Sequence, residues 1–169
     1  WEISGQTEGD MISTRTFKNG VINATLMWKN GEIPYQLDPS YTKDDAKWIK
    51  KALNVFHRET CLRFRKKNAK DKDYIYVHNS YGCFGSVGRQ GGPQLLNLER
   101  EPYGTGCFNR GTIVHEFLHA AGFYHQHNSP DRDQYVRVNM ENIHESQHIQ
   151  FDKLENNTAT TFNLPYNYD

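Results

Sequence analysis

One histidine-rich segment limits what this chain can fold into more than any other feature. It reads H-E-x-x-H-x-x-G-x-x-H from His115 to His125, with Glu116 after the first histidine and Gly122 before the last. Residues four apart share one face of an α-helix, so His115 and His119 present their imidazoles one above the other. Gly122 permits a sharp turn out of the helix, which can bring His125 to the same point. The segment therefore predicts a helix ending at Gly122 and a cluster of three imidazoles.

Three imidazole nitrogens suit a catalytic zinc ion, because they leave one tetrahedral position open for water. We therefore expect one Zn²⁺ per chain, bound by His115, His119 and His125. Glu116 follows a ligand, and in this arrangement its carboxylate points at the water rather than at the metal. Zinc lowers the pKa of such a water to about 7, and Glu116 is predicted to act as the general base of peptide hydrolysis and then to protonate the leaving amine.

The short pattern H-E-x-x-H also arises by chance on helices, but the added glycine and third histidine at fixed spacing favour a metal site. The other five histidines have no spacing typical of ligands, and we expect ordinary surface or core positions for them. They are His57, His78, His127, His144 and His148.

Three segments carry helical signals. Thr42 can cap a helix in which Asp45 completes a capping box and apolar residues recur at helical spacing up to Phe56. A second helix is predicted from about Arg110 to Ala121, where it carries the histidine pattern, and a third over Asn142 to Lys153.

Short runs rich in β-branched, aromatic and aliphatic residues predict the strands. Pro34, in the first run, favours a position at the sheet edge. The runs are Ile33–Leu37, Cys61–Phe64, Tyr74–Val77, Cys83–Val87 and Leu95–Leu98. Together they predict a small, mostly sequential sheet. The architecture is therefore α+β, with one helix packed on the sheet and another carrying the chemistry.

Composition fits one globular domain, since 36% of the 169 residues are apolar and the formal net charge is zero. A neutral chain gives no overall electrostatic signal for nucleic acid or an anionic membrane, and we expect neither partner. No apolar stretch approaches the roughly 18 residues of a membrane span.

Cysteines and glycosylation motifs bear on the compartment. Cys61, Cys83 and Cys107 are an odd number, which in a secreted protein means a free thiol, an intermolecular bridge or a missing partner. Asn23 and Asn156 begin Asn-x-Thr motifs, which are glycosylated only in the secretory pathway.

Beyond the histidine pattern, three further segments in the same order make the chain resemble the astacin family of zinc metalloendopeptidases, a branch of the metzincins. These segments are Met27–Tyr35, Cys83–Gly92 and Asp131–Val136. The resemblance implies a two-lobed zincin fold with a mixed sheet, a packing helix and a zinc-binding active-site helix. It also implies a secreted, extracellular enzyme acting on protein or peptide substrates.

The resemblance further implies a substrate cleft and a pattern of disulfides. The edge strand that binds substrate by backbone pairing would consist of Cys83, Phe84, Gly85, Ser86 and Val87. Cys83 would pair with Cys107, and Cys61, unpaired here, would need a cysteine beyond Asp169. We accordingly expect residues 19–169 to be a catalytic domain truncated before the family's methionine turn.

Residues 1–18 resemble part of a pro-segment of the aspartate-switch type. Its aspartate, here Asp10, would occupy the zinc position meant for water and hold the enzyme as a zymogen. A trypsin-like protease cutting after Lys18 would release Asn19 as the mature N-terminus. The family usually places a glutamate after the third histidine to receive that terminus, but this chain has Gln126, and Ser129 replaces an expected arginine.

Two other interpretations stay open. The chain could be a catalytically silent astacin-like binding protein, although the intact Glu116 argues against this. It could instead belong to another zincin branch, because the residue after the third histidine, here Gln126, often separates the branches.

Overall fold

The computed structural model describes residues 6–12 and 24–154. Lys18, Asn19, Asn23 and Asn156 lie outside these ranges, so cleavage and glycosylation there stay predictions. Within them, the strands are β1 (Met11–Ile12), β2 (Glu32–Leu37), β3 (Arg63–Lys66), β4 (Tyr74–His78), β5 (Cys83–Ser86) and β6 (Pro93–Leu98). The α-helices are α1 (Lys43–Glu59), between β2 and β3, and α2 (Arg110–Ala121), after β6. The predicted α+β class is confirmed.

The strands form one mixed sheet in the order β1-β5-β6-β4-β2-β3. β5 and β6 are antiparallel, and every other neighbouring pair is parallel. The prediction of a mostly sequential sheet was therefore wrong, because parallel neighbours need crossover connections such as α1 between β2 and β3. The prediction of an edge position for Pro34 was also wrong, since β2 lies between β4 and β3. Pairing of β2 with β4 begins only at Tyr35, so Pro34 has β3 alone beside it.

Both long helices begin where local signals place them, and α2 also ends where they place it. Thr42 and Asp45 form the predicted capping box of α1, which buries Ile49 and Phe56. Asn109 caps α2 by accepting a hydrogen bond from Gly111 N–H, and Gly122 ends the helix in a left-handed conformation with φ 117°.

The prediction of a third α-helix, Asn142 to Lys153, was wrong. The structure has 3₁₀ turns there, at Met140–Asn142 and Glu145–Phe151. The second turn buries none of its residues, so no buried apolar face stabilises a regular α-helix there. Its carbonyls instead accept side-chain hydrogen bonds: Asn128 donates to Gln150 O and Arg132 to Phe151 O.

The main core lies between the sheet and the two helices. The ring of Phe117 on α2 packs edge-on against Tyr35 of β2 and Phe64 of β3, with centroids 6.0 and 5.1 Å away. This packing fixes α2 against the sheet and sets the direction of its other face. Across the described residues, no helix combines the length and apolarity that crossing a membrane requires.

Candidate metal centre and active site

Helix α2 holds its two histidines in place through contacts at its C-terminal end. The Trp28 indole N–H donates to Ala120 O at 2.7 Å, and Gly88 N–H donates to His119 O at 2.8 Å. The bond from Trp28 satisfies a carbonyl at the helix end, where intrahelical donors run out, while His119 O also accepts a bond from Gly122 N–H at 2.8 Å. The two segments that supply the donors therefore fix the position and direction of the helix end next to the cluster.

The three histidines of the pattern converge as the sequence predicts. His115 Nε2 lies 3.0 Å from His119 Nε2 and 3.2 Å from His125 Nε2. Two ligands about 2.0–2.1 Å from a tetrahedral zinc lie about 3.3–3.4 Å from each other, so the observed spacing is close to that of a ligand set.

Asp10 completes the cluster from the other end of the chain. Its Oδ2 lies 3.0 Å from His115 Nε2, and its Oδ1 lies 3.3 Å from His125 Nε2 and 3.7 Å from His119 Nε2. Asp10 is buried, and Oδ1 has no hydrogen-bond partner among the described residues. A buried acceptor without a donor, facing three imidazole nitrogens, fits a cation held between them. All four ligand atoms lie within 4.8 Å of one another, so the group could hold a metal ion.

A tight turn delivers Asp10 to this position. Thr7 and Met11 exchange backbone hydrogen bonds of 3.0 Å, and between them Glu8 and Gly9 take positive φ values of 54° and 91°. Asp10 O then accepts a bond of 2.8 Å from Gly85 N–H of β5. The aspartate is thus held by backbone bonds on both sides.

Two of the histidines have partners on their second ring nitrogen. His119 Nδ1 lies 2.7 Å from Phe123 O, and His125 Nδ1 lies 2.9 Å from Glu8 Oε2. An acceptor at Nδ1 fixes the proton there and leaves Nε2 free to bind metal. Glu8 was not among the predicted site residues, because no local spacing connects it with a histidine 117 residues away.

Charge in the cluster follows from these contacts. Burial opposes ionisation of Asp10, but the close approach of the imidazoles of His115, His119 and His125 holds its pKa well below the usual range. Burial also opposes a charged His125, yet Asp10 and Glu8 raise its pKa to about 9. The carboxylates of Glu8 and Asp10, which lie on the N-terminal arm (residues 6–12), and the imidazole of His125 therefore stabilise each other's charged forms.

Glu116 lies beside the cluster and is buried away from solvent. Its side chain is 1% exposed, and its Oε2 has no hydrogen-bond partner among the described residues. Burial, followed by the nearby Asp10 charge, raises the pKa of Glu116 well above its ordinary value. A carboxyl in such a site can exchange a proton with a group bound at the cluster.

His127, predicted to be an ordinary residue, packs directly against the cluster. Its ring stacks on His125 with centroids 5.3 Å apart, and its Nε2 lies 3.2 Å from Gln150 O. One of its ring nitrogens also lies within 4.8 Å of a carboxylate oxygen of Glu8 and a ring nitrogen of His125, so these three residues form a second group that could hold a metal ion. The remaining four histidines lie outside both groups.

The predicted substrate strand corresponds to β5, which ends at Ser86, so Val87 falls just outside it. β1 pairs with β5 in parallel, with Met11 opposite Gly85 and Ile12 opposite Ser86. The outer side of β5 is thus covered at these residues by the same arm that carries Asp10.

The cysteines and Gln126 complete the predicted site residues. A disulfide joins Cys83 of β5 to Cys107 just before α2, the pairing expected from the resemblance, and Cys61 is a free, exposed cysteine. Gln126 is exposed on the turn after His125. Its pairing with Asn19 stays a prediction, because Asn19 is outside the described residues.

Known proteins are similar to this chain in sequence and in fold. A family profile described as Astacin, a peptidase family, matches residues 20–169. Zinc metalloproteinase nas-6 of Caenorhabditis elegans is 36% identical over 164 residues, covering 91% of this chain and 46% of the relative. Astacin-like metalloprotease toxin 1 of Loxosceles intermedia is 37% identical over 169 residues, covering 96% and 61%.

A solved structure agrees with both. High choriolytic enzyme 1, a hatching enzyme zinc-protease from the medaka Oryzias latipes, superposes with a TM-score of 0.75 at 35% identity, over 86% of this chain and 72% of that one. The chain spans less than half the length of the nematode relatives nas-6 and nas-7. The cofactor of this family is zinc, which suits the histidine cluster. On these matches, the chain belongs to the astacin family of zinc metallopeptidases.

Proposed function

We propose that this chain is a secreted zinc endopeptidase in zymogen form, which hydrolyses peptide bonds of protein substrates once its arm is removed. The observation that carries the proposal is the position of Asp10, whose carboxylate faces His115, His119 and His125 together. A carboxylate in that position would be the fourth zinc ligand, where an active enzyme needs water.

The zinc ligands would be the Nε2 atoms of the three histidines. Bound zinc would supply a Lewis acid that polarises the scissile carbonyl and makes water acidic enough to lose a proton near neutral pH. Glu116 would accept that proton on its carboxylate and later donate it to the leaving amine nitrogen. The burial of Glu116 supports this role, because a dry site strengthens the interaction of a carboxylate with nearby charge.

The arm would block the site in two ways. Asp10 fills the water position. Met11 and Ile12 pair with the outer edge of β5, where the backbone of a substrate strand would otherwise pair. In this proposal residues 1–18 are part of the pro-segment, residues 19–169 belong to the catalytic domain, and a trypsin-like protease cuts after Lys18. Secretion is supported by the disulfide between Cys83 and Cys107, since such bonds persist in oxidising compartments.

The test compares zinc content and endopeptidase activity of the full-length protein before and after trypsin-like cleavage near Lys18. We expect one zinc per chain throughout and activity only after cleavage. Glu116→Gln should keep the zinc and lose activity, because the amide cannot accept the proton. Asp10→Ala should give partial activity without cleavage, because the metal position is freed while Met11 and Ile12 still cover β5.

Each other outcome has a clear meaning. Zinc without activity in the cleaved protein would favour the silent binding protein over the enzyme. Absence of zinc would overturn the assignment of the three histidines. Full latency in Asp10→Ala would show that the zymogen mechanism does not depend on Asp10.

A further inference from the structure

Helix α1 exposes a stripe of cations along its whole length. Lys43, Lys47, Lys50, Lys51 and Arg58 are all exposed. At 3.6 residues per turn these positions fall within an arc of about 100°, on the side opposite the buried residues of the helix. The helix has 17 residues, so the stripe is about 25 Å long.

The chain after α1 extends the positive charge. Arg63, Lys66, Lys70 and Lys72, on β3 and the following turn, are also exposed. β3 lies beside the helix, since the Phe64 backbone N–H donates to His57 Nε2 at 3.0 Å. Arg63 precedes Phe64, which packs on Phe56 of α1, so the Arg63 side chain points to the other side of the sheet. We call the five cations of α1 together with Lys66, Lys70 and Lys72 the basic face.

The basic face lies in a segment with a local excess of positive charge, although the whole chain is neutral. Residues 43–72 contain 11 of the 20 Lys and Arg residues but only 4 of the 20 Asp and Glu residues. The rest of the chain therefore carries an equal negative excess. A net charge of zero hides this asymmetry, which is why composition alone gave no electrostatic signal.

Few of these cations have an acidic partner. Lys47 pairs with Asp44 at 2.8 Å and Arg58 pairs with Glu59, and the side chains of both pairs are more than half exposed. No other member of the basic face forms an ion pair with a described residue. Exposed pairs of this kind are weak, because water and salt screen them, so an anionic ligand can replace them.

We propose that the basic face binds a linear sulfated polysaccharide. A row of lysines and arginines about 25 Å long matches the regular anionic groups of such a chain. The disulfide between Cys83 and Cys107 indicates an oxidising compartment, where the polyanions that the protein meets are sulfated glycans rather than intracellular nucleic acids.

Exposed aromatic surface is sparse on this face, which favours a polysaccharide over the main competing partners. Trp48 and the exposed Tyr103 lie at its border, where they stack on each other with centroids 5.2 Å apart, and Lys51 Nζ lies 5.9 Å from the Trp48 ring. The large hydrophobic side chains that the described structure exposes all lie outside residues 43–72. Single-stranded nucleic acids need aromatic platforms on which bases stack, and a membrane surface needs apolar anchors. A polysaccharide bound through its sulfates needs neither.

The experiment measures heparin oligosaccharide binding to the full-length protein at several salt concentrations. The test variant is Lys47→Gln/Lys50→Gln/Lys51→Gln, since glutamine keeps the helix propensity. The matched control removes three exposed cations outside the basic face and is Lys29→Gln/Arg110→Gln/Arg137→Gln. Circular dichroism checks that both variants keep the parent fold.

We expect the test variant to bind heparin at least about tenfold more weakly than the parent at 0.1 M salt, with the control close to the parent. The slope of log affinity against log salt should fall by about two for three lost contacts. Unsulfated heparosan should not bind. Equal weakening in both variants, no binding by the parent, or tighter binding of single-stranded DNA or phosphatidylserine vesicles than of heparin would each overturn the proposal.

Discussion

Asp45 is a buried carboxylate whose replacement by asparagine should destabilise the fold strongly. The side chain is 0% exposed. Its Oδ2 accepts bonds from Thr42 N, Thr42 Oγ1 and Arg100 Nε at 2.7–2.8 Å, and its Oδ1 accepts one from Tyr103 OH at 2.8 Å. Asp45 therefore connects the start of α1 to the segment that leads into α2.

Asparagine offers only one acceptor oxygen, so its amide nitrogen must face donors on one side of the group. Loss of charge-assisted bonds around a buried group amounts to about 2–4 kcal/mol of unfolding free energy. The half-exposed Arg100 can rehydrate, which keeps the expected loss below the upper end of that range. Asp44→Asn is the matched control, because Asp44 is exposed and, among the described residues, pairs with the exposed Lys47 alone, and it should leave stability close to that of the parent.

The effect should also depend on pH. Burial acts to raise the pKa of Asp45, but the bonds from Thr42, Tyr103 and Arg100 outweigh it and lower the pKa from 3.8 to about 2. A depressed carboxyl pKa stabilises the folded state above the unfolded pKa, and this contribution is lost as the pH falls towards about 2. The stability difference between the parent and Asp45→Asn should therefore shrink across that window.

Urea unfolding followed by tryptophan fluorescence at several pH values measures both effects. A loss in Asp45→Asn no larger than in Asp44→Asn would refute the structural argument. A difference from the parent that stays constant from neutral pH to about pH 2 would refute the assigned pKa direction.

Other contacts give further predictions. Cys83→Ser/Cys107→Ser should lower the free energy of unfolding by about 3 kcal/mol, because the bridge joins positions 24 residues apart; calorimetry measures this, and a change below about 1 kcal/mol would contradict it. Gly122→Ala should lose about 1–2 kcal/mol in urea unfolding, since φ there is 117°, and should weaken zinc binding in a competition titration; an unchanged zinc affinity would show that His125 does not depend on this turn. Trp28→Phe removes the indole donor to the end of α2 and should destabilise the protein by about 1 kcal/mol in urea unfolding, whereas a neutral result would mean that water replaces that bond.

Local signals predicted most of the site before the structure. The bounds of α2, its end at Gly122 and the convergence of the histidines all follow from helical spacing and the conformational freedom of one glycine. The cap of α1 is equally local, because Thr42 and Asp45 are three residues apart.

Features that depend on contacts between distant segments could not be predicted from local signals. Strand order depends on crossovers that no short segment encodes, and β1 pairs over too few residues to show a strand pattern. Glu8 reaches His125, and Asn128 fixes the 3₁₀ turn, through contacts between segments distant in sequence. The position of Asp10 was expected only from a family resemblance, since an isolated Glu-Gly-Asp otherwise reads as a simple turn.

The shortness of β1 has a consequence for how the arm holds the histidine cluster. β1 and β5 pair at two residues, and Asp10 meets a histidine 105 positions away along the chain. While the chain is continuous, the arm acts at an effective concentration on the order of millimolar. A cut between Ile12 and Ala24 would leave the arm at its bulk concentration. At that concentration one turn and two residue pairs between β1 and β5 bind weakly. A free peptide of residues 1–18 should then need about millimolar concentrations to occupy the cluster again, and occupation at micromolar concentrations would disprove this account.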